Sequence, residues 1–206
     1  MKKTVLVPLI ALLVSSLLIL GFVYQQFILS EKPLTSTLVY PKAKPLPSFQ
    51  LTDHDNNAFT EQQLKDKWSV LFFGFTFCPD VCPTTLAALS QVAGKLSKEQ
   101  QAKIQFVFVS VDPERDTVER LAEYIPFYNE DFIALTGDQQ QLSKFALSLG
   151  AVYMKVPEGD GYTMSHSDRL FIVNPQGERF GIFTKSPTGG IDIEAIAKDL
   201  QQILDK

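Results

Sequence analysis

Val70-Leu71-Phe72-Phe73-Gly74-Phe75, followed closely by Phe77-Cys78-Pro79-Asp80-Val81-Cys82-Pro83, is the stretch that decides the fold class. The first run is apolar and rich in residues that favour strands, so it predicts a buried β-strand. Residues 84–96 predict a helix directly after the second run. Two thiols therefore lie at a strand-to-helix junction. The positive end of the helix dipole is expected there to lower a thiol pKa and to raise the thiolate fraction.

Strands and helices are predicted to alternate outward from this junction. Asp138 is expected to cap the start of one helix and Gly150 to end it, and Asp192 is expected to begin the final helix. The predicted elements are a hairpin at 49–60, a strand at 104–111, a helix at 117–128, a strand at 132–135, a helix at 139–149, a hairpin at 170–183 and a helix ending near 204. This βαβ order with a closing antiparallel hairpin predicts an α/β, thioredoxin-like fold with an N-terminal β-hairpin.

The two cysteines are the only ones in the chain, and there are only two histidines. Two soft thiolates with the imidazole of His166 suit Cu(I), and the same set can hold Cu(II) or Zn(II). Three ligands do not complete a structural zinc site, which normally has four. Two other interpretations stay open from the residues alone: Cys78 and Cys82 form a plain structural disulfide, or His166 is an ordinary loop histidine. His54 lies in a polar turn, where we expect it to be solvated.

The first 30 residues predict a membrane anchor. No residue from 4 to 29 is charged, and residues 5–24 reach the roughly 20 apolar residues that span a bilayer. Lys2 and Lys3 precede this run, so the positive-inside rule predicts a cytoplasmic N-terminus and an exported domain. A cleaved signal peptide is the alternative, but its apolar region is usually shorter, about 7–15 residues. Outside the cytosol, two free thiols tend to oxidise to a disulfide.

The chain is predicted to have three parts: the anchor (residues 1–30), an extended linker (31–47) and one globular domain (48–206). The linker contains four prolines among polar residues, which is typical of an extended tether. The formal net charge is −4 at pH 7 and becomes more negative without the two lysines of the anchor. Nucleic acid is therefore not expected as a partner, because phosphate binding needs a basic patch.

The chain resembles the Sco/SenC family of copper-binding assembly proteins for cytochrome c oxidase. Three segments carry the resemblance, which extends from about Lys44 to the C-terminus: Phe75-Thr76-Phe77-Cys78-Pro79-Asp80-Val81-Cys82-Pro83, then Val109-Ser110-Val111-Asp112-Pro113-Glu114-Arg115-Asp116-Thr117, and His166-Ser167 before a strand that ends Asn174-Pro175-Gln176-Gly177.

The resemblance implies that one copper ion, Cu(I) or Cu(II), is bound by Cys78, Cys82 and His166, and that the two cysteines form a redox disulfide when oxidised. Asp80 and Asp112 are expected to lie beside the copper without binding it, although Asp80 could instead cap the following helix. The family often has Asp before the ligand histidine, whereas this chain has Ser165. The missing negative charge is expected to weaken the binding of Cu(II) more than that of Cu(I).

Two functions follow from the resemblance. The first is a membrane-anchored metallochaperone, not an enzyme in the strict sense, that delivers copper to the copper-bearing subunit of cytochrome c oxidase. It could also meet other copper chaperones or a thiol reductant. The second is a thiol–disulfide oxidoreductase that reduces the cysteines of the copper acceptor, or a copper or redox sensor. The usual redox motif is C-x-x-C rather than C-x-x-x-C, and copper binding needs His166 whereas dithiol exchange does not. The expected location is a bacterial-type inner membrane with the domain on the extracytoplasmic side.

Overall fold

A computed structural model describes residues 12–24, 33–186 and 189–205. The chain divides into two compact units, Met1–Leu34 and Thr35–Lys206. In the first unit, residues 12–24 are helical and exposed, and the rest of the predicted anchor lies outside the described residues. Within the described residues, no helix combines the length and the apolar character that crossing a membrane requires.

The second unit contains a mixed sheet and several helices. Its strands are β1 Thr37–Pro45, β2 Gln50–Asp53, β3 Ala58–Thr60, β4 Trp68–Gly74, β5 Ile104–Ser110, β6 Ile133–Thr136, β7 Tyr153–Glu158, β8 Gly161–His166, β9 Leu170–Val173 and β10 Glu178–Phe183. Its α-helices are α1 Val81–Gly94, α2 Lys98–Ala102, α3 Val118–Tyr124, α4 Gln139–Leu149 and α5 Ile193–Leu204, with 3₁₀ turns at Glu61–Leu64 and Ile125–Phe127.

Eight strands form one sheet in the order β1-β10-β9-β4-β5-β6-β2-β3, and β7 and β8 form a separate hairpin. β4 and β5 are parallel and central, so they are covered on both faces and consist almost entirely of buried residues. Helix α4 packs on one face of the sheet, where Phe145 lies 5.9 Å from Phe73 between ring centroids. Helices α1 and α5 pack against each other. The prediction of an α/β domain is confirmed.

The amino-terminal edge of the sheet differs from the prediction. Residues 37–45 form strand β1, which pairs antiparallel with β10 and shifts register between Val39 and Lys44. Pro41 and Pro45 lack an N–H group, which an edge strand with a bulge tolerates because one side of it is unpaired. The assignment of residues 31–47 to a tether is therefore wrong for residues 37–45. The folded unit starts at Thr35, before the predicted boundary at 48.

The start of this unit is held by the buried carboxylate of Asp199 on α5. Its Oδ1 accepts hydrogen bonds from the N–H of Thr35 at 2.9 Å and from the Thr35 hydroxyl at 3.2 Å. Its Oδ2 accepts from the N–H of Ser36 and from the hydroxyl of Thr37, both at 2.8 Å. Hydrogen bonds to an ionised acceptor are stronger than neutral ones. The four donors therefore compensate a carboxylate that is only 2% exposed.

Candidate metal centre

The first cysteine lies in the turn between β4 and α1. The Cys78 N–H donates to the carbonyl of Phe75 at 3.3 Å, which closes the turn. Cys78 is half-buried, so it is the more exposed of the two cysteines. The apolar strand before it and the helix after it have the types predicted from the sequence, although α1 begins three residues earlier than expected.

The second cysteine is the second residue of α1 and is fully buried. Its N–H donates to the Sγ of Cys78 at 3.4 Å. Gly74 at the end of β4 makes this approach possible: a Cβ there would lie 2.9 Å from the Cys82 Sγ and 2.8 Å from the Phe108 ring. The glycine lets the first turn of the helix pack directly on the strand.

The Cys82 thiol is less acidic than a thiol at a helix start was expected to be. Burial raises its pKa, and the neighbouring Cys78 raises it further. The apolar surroundings disfavour the thiolate, and this effect outweighs the hydrogen bond with the Phe75 backbone, which lowers the pKa. The expectation of a lowered thiol pKa is therefore wrong for Cys82. A metal ion that binds this sulfur must displace its proton.

The histidine reaches the cysteines from the β7–β8 hairpin. His166 is the last residue of β8, and its Nε2 lies 3.6 Å from the Cys82 Sγ. Its Nδ1 is 3.0 Å from the carbonyl of Ser167. A carbonyl can only accept, so this hydrogen bond needs a proton on Nδ1, and Nε2 is the ring nitrogen that faces the Cys82 sulfur. The rings of Phe72 and Phe75 meet the imidazole edge-on, at centroid distances of 6.0 and 5.8 Å.

One ligand atom from each of Cys78, Cys82 and His166 lies within 4.8 Å of the others. No other group of this kind was found among the described residues. Two sulfurs and an imidazole nitrogen form a donor set that favours copper. The donors come from two parts of the chain that are far apart in sequence: Cys78 and Cys82 lie at the junction of β4 and α1, and His166 lies on the hairpin. The set could not have been assembled from the sequence spacing alone.

The acidic residues expected near the site occupy different environments. Asp80 is exposed at the start of α1, and its side chain makes no capping hydrogen bond, so the capping interpretation is not supported. Asp112 is buried and does not face the solvent: its Oδ2 accepts from Arg115 Nε at 2.5 Å and its Oδ1 from the Tyr162 hydroxyl at 2.9 Å. Asp112 is therefore linked to the segments around the site through Arg115 and Tyr162.

Asp116 connects the ends of the two central strands behind the cysteine loop. Its carboxylate accepts from the Thr76 N–H at 3.0 Å, from the Thr76 hydroxyl at 2.7 Å and from the Ser110 hydroxyl at 2.6 Å. Burial raises the pKa of Asp116 despite these hydrogen bonds. Thr76 lies two residues before Cys78, so the network fixes the base of the loop that carries the cysteine.

Two other residues differ from their expected settings. His54 lies in the predicted turn but is half-buried, and its Nδ1 accepts a hydrogen bond from the Ala134 N–H at 3.2 Å, so it is only partly solvated. Ser165 precedes the ligand histidine on β8, and neighbouring strand residues point to opposite faces. The side chain at position 165 therefore points away from the face that carries the imidazole. Any effect of residue 165 on Cu(II) therefore acts over a longer distance than its position next to His166 in the sequence implies.

Comparison with known proteins agrees with the geometry. The sequence model of the family described as SCO1/SenC matches residues 40–205. The chain belongs to the SCO1/SenC family. A protein of Stutzerimonas stutzeri named "Putative copper-binding protein" is 36% identical over 171 residues, which cover 82% of each chain. The mitochondrial SCO1 homolog 1 of Arabidopsis thaliana is 34% identical over 155 residues, 75% of this chain and 46% of that protein.

The crystal structure of Arabidopsis thaliana ScoI with copper bound has a TM-score of 0.71 to this chain at 32% sequence identity. The match covers 79% of this chain and 100% of that structure. The resemblance noted in the sequence and the predicted thioredoxin-like α/β fold are both confirmed by this similarity. Copper is accordingly the metal that this donor set is expected to take.

Proposed function

We propose that this SCO1/SenC protein binds one copper ion through Cys78, Cys82 and His166 and delivers it to the copper-bearing subunit of cytochrome c oxidase. The observation that carries the proposal is the approach of two sulfurs and Nε2 to within 4.8 Å of one another. Proteins of the Sco family take part in copper delivery and redox chemistry for that oxidase. We extend this role of the family to the present chain.

The exposure of the two sulfurs suggests how copper would be passed on. Cys82 is fully buried, so it would bind the ion on the side of the protein core and be the last ligand to dissociate from it. Cys78 is half-buried and open to a partner. An incoming thiolate or imidazole of the acceptor would replace Cys78 first, and the ion would move by stepwise ligand exchange. The oxidation state of copper does not change in this exchange.

Copper titration of the purified, reduced full-length chain tests the proposal. We expect one copper per chain, and with Cu(II) an intense thiolate-to-copper absorption band. Shortening the chain to begin at Lys42 would remove the first half of β1, so a shorter version should begin no later than Thr35. Failure to bind copper tightly under reducing conditions would overturn the proposal.

A second candidate function is thiol–disulfide exchange, alone or together with copper delivery. The half-buried Cys78 next to the buried Cys82 favours it, because exchange needs one accessible attacking sulfur and one partner sulfur behind it. The Cys78 thiolate would attack a disulfide of the acceptor and form a mixed disulfide. Cys82 would then release the acceptor as a dithiol, leaving this chain as the disulfide. Another thiol reductant would restore the reduced form, and other copper chaperones could supply the copper.

We further propose that residues 1–30 anchor the domain in the inner membrane with the N-terminus in the cytoplasm. The uncharged run after Lys2 and Lys3 supports this topology. We expect membrane fractions to contain the full-length chain, and protease added from the extracytoplasmic side to digest the domain. Recovery of a shortened chain that starts near Gln25 in the soluble fraction would instead support a cleaved signal peptide.

A further inference from the structure

Arg115 connects the two segments that carry the metal ligands. Its guanidinium carbon lies 4.7 Å from the ring centroid of Phe77 and 3.9 Å from that of Tyr162. Phe77 directly precedes Cys78 in the β4–α1 loop, and Tyr162 lies on β8 four residues before His166. A cation near the faces of two aromatic rings is attracted by both. The Arg115 side chain thus bridges a loop and a hairpin that are far apart in sequence.

Polar contacts fix the guanidinium in this position. Nε donates to Asp112 Oδ2 at 2.5 Å, and Nη1 donates to the carbonyl of Tyr162 at 3.2 Å. The Tyr162 hydroxyl donates to the other oxygen of Asp112 at 2.9 Å. Nη2 is buried and has no hydrogen-bond partner within the described part of the chain. Arginine, Asp112 and Tyr162 therefore form a closed ring of contacts beside the metal centre.

We propose that Arg115 is a positioning residue that holds the His166 hairpin against the cysteine loop, so that the three ligands are assembled before the metal arrives. The inference rests on the copper site proposed above. The β7–β8 hairpin lies outside the main sheet, so strand pairing with the central strands does not fix its position. A ligand set that is already ordered binds more tightly, because less conformational entropy is lost on binding.

Two neighbouring cations provide matched controls, because the contacts described for each involve only one of the bridged segments. The Arg120 guanidinium lies 5.8 Å from the Phe77 ring centroid, on the loop side only. The Lys155 ammonium lies 3.8 Å from the Tyr162 ring centroid and pairs at 2.6 Å with Glu114, the neighbour of Arg115, so it meets the hairpin but not the cysteine loop. Loss of either cation removes a charge of the same sign near the site but leaves the bridge in place.

The test uses Arg115→Lys in the full-length chain. Lysine leaves a cation beside the buried Asp112, which favours folding, but it lacks the planar fork that reaches two rings and the Tyr162 carbonyl. We expect Cu(II) affinity to fall about tenfold, which corresponds to about 1.4 kcal/mol. The thiolate-to-copper band should also shift. The Arg120→Ala and Lys155→Ala variants should stay within about threefold of the wild type.

A second readout needs no copper. In the metal-free protein, hydrogen exchange of the β8 amides should be about tenfold faster in Arg115→Lys than in the wild type, whereas exchange in β4 and β5 should be unchanged. Tyr162→Leu removes one of the bridged rings while leaving Arg115 and Asp112 paired. It should reproduce both effects, and it replaces Arg115→Lys if that variant does not fold.

Unchanged exchange in β8 together with unchanged Cu(II) affinity and spectrum in Arg115→Lys would overturn the positioning role while leaving the copper site intact. An equally large loss in Arg120→Ala would also overturn it, because the effect would then follow charge and not bridging. If the wild type itself binds no copper, the proposed function fails. Hydrogen exchange of β8 in the metal-free protein then still decides whether Arg115 holds the hairpin.

Discussion

The double variant Cys78→Ser, Cys82→Ser is expected to lose copper binding. It removes both soft donors and leaves only the His166 imidazole, which is a poor site by itself for Cu(I). We expect the affinity to fall by more than about 1000-fold, or roughly 4 kcal/mol. The thiolate-to-copper absorption band should be absent. Equilibrium titration with a competing copper chelator, at a fixed concentration of reducing agent, measures the change.

The metal-free variant supplies the necessary folding control. Ser is close to Cys in size, so the near-UV circular dichroism should stay near that of the reduced wild type. Thermal unfolding should occur at a lower temperature, because a hydroxyl replaces the buried Cys82 thiol. Each single variant should retain weak binding, with the loss larger for Cys82→Ser because that sulfur is buried beside Nε2. Binding of copper by the double variant with the affinity and spectrum of the wild type would show that the metal lies elsewhere.

His166→Ala is expected to separate copper delivery from thiol exchange. It removes the imidazole but leaves both sulfurs, and a two-sulfur site serves Cu(II) poorly. Cu(II) affinity should drop about 100-fold or more, or roughly 3 kcal/mol. The dithiol should still oxidise and reduce reversibly, because disulfide exchange needs only a thiolate and its partner sulfur. Cells that carry only this variant should fail to assemble active cytochrome c oxidase when copper is limiting.

The other histidine of the chain offers a matched control. His54→Ala removes an imidazole that accepts from Ala134 N–H and contributes nothing to the metal centre. It should keep copper affinity and oxidase assembly. Normal oxidase activity in His166→Ala cells under limiting copper would contradict the delivery role and would favour the thiol–disulfide function in its place.

The central elements of the fold could be predicted from the sequence because their patterns are strong. The apolar runs of β4 and β5 and the Asp138 and Gly150 boundaries of α4 match the structure, where Gly150 adopts a φ of 86° at the helix end. Buried parallel strands and capped helices carry local signals. Both cysteines were identified as site residues for the same reason, since they directly follow such a strand.

Two parts of the chain carried no comparable signal. β1 contains prolines and mostly polar or half-exposed residues, because an edge strand needs neither a full ladder nor a buried face. The β7–β8 hairpin is largely exposed, and its turn falls at Gly159 with a φ of 56°. His166 was assigned as a ligand by family resemblance, since its proximity to Cys82 depends on the placement of that hairpin. The direction of the Cys82 pKa shift depends on burial, which is a property of the packed core.

The first and last residues of the folded unit lie near opposite ends of the strands. One row of paired residues crosses the sheet from β1 to β4: Thr37, Phe183, Leu170 and Phe72. The Phe72 ring packs edge-on against His166. Strand β1 therefore begins at the end of the sheet that carries the metal ligands. Three strand spacings, or about 14 Å, separate it from β4.

The last helix ends instead where the central strands begin, since Lys103, which directly precedes β5, donates to the carbonyl of Leu204. A carrier, label or surface attached ahead of Thr35 would therefore join the domain at the end of the sheet that carries the metal ligands. An attachment after Leu204 would join the domain at the opposite end of the central strands.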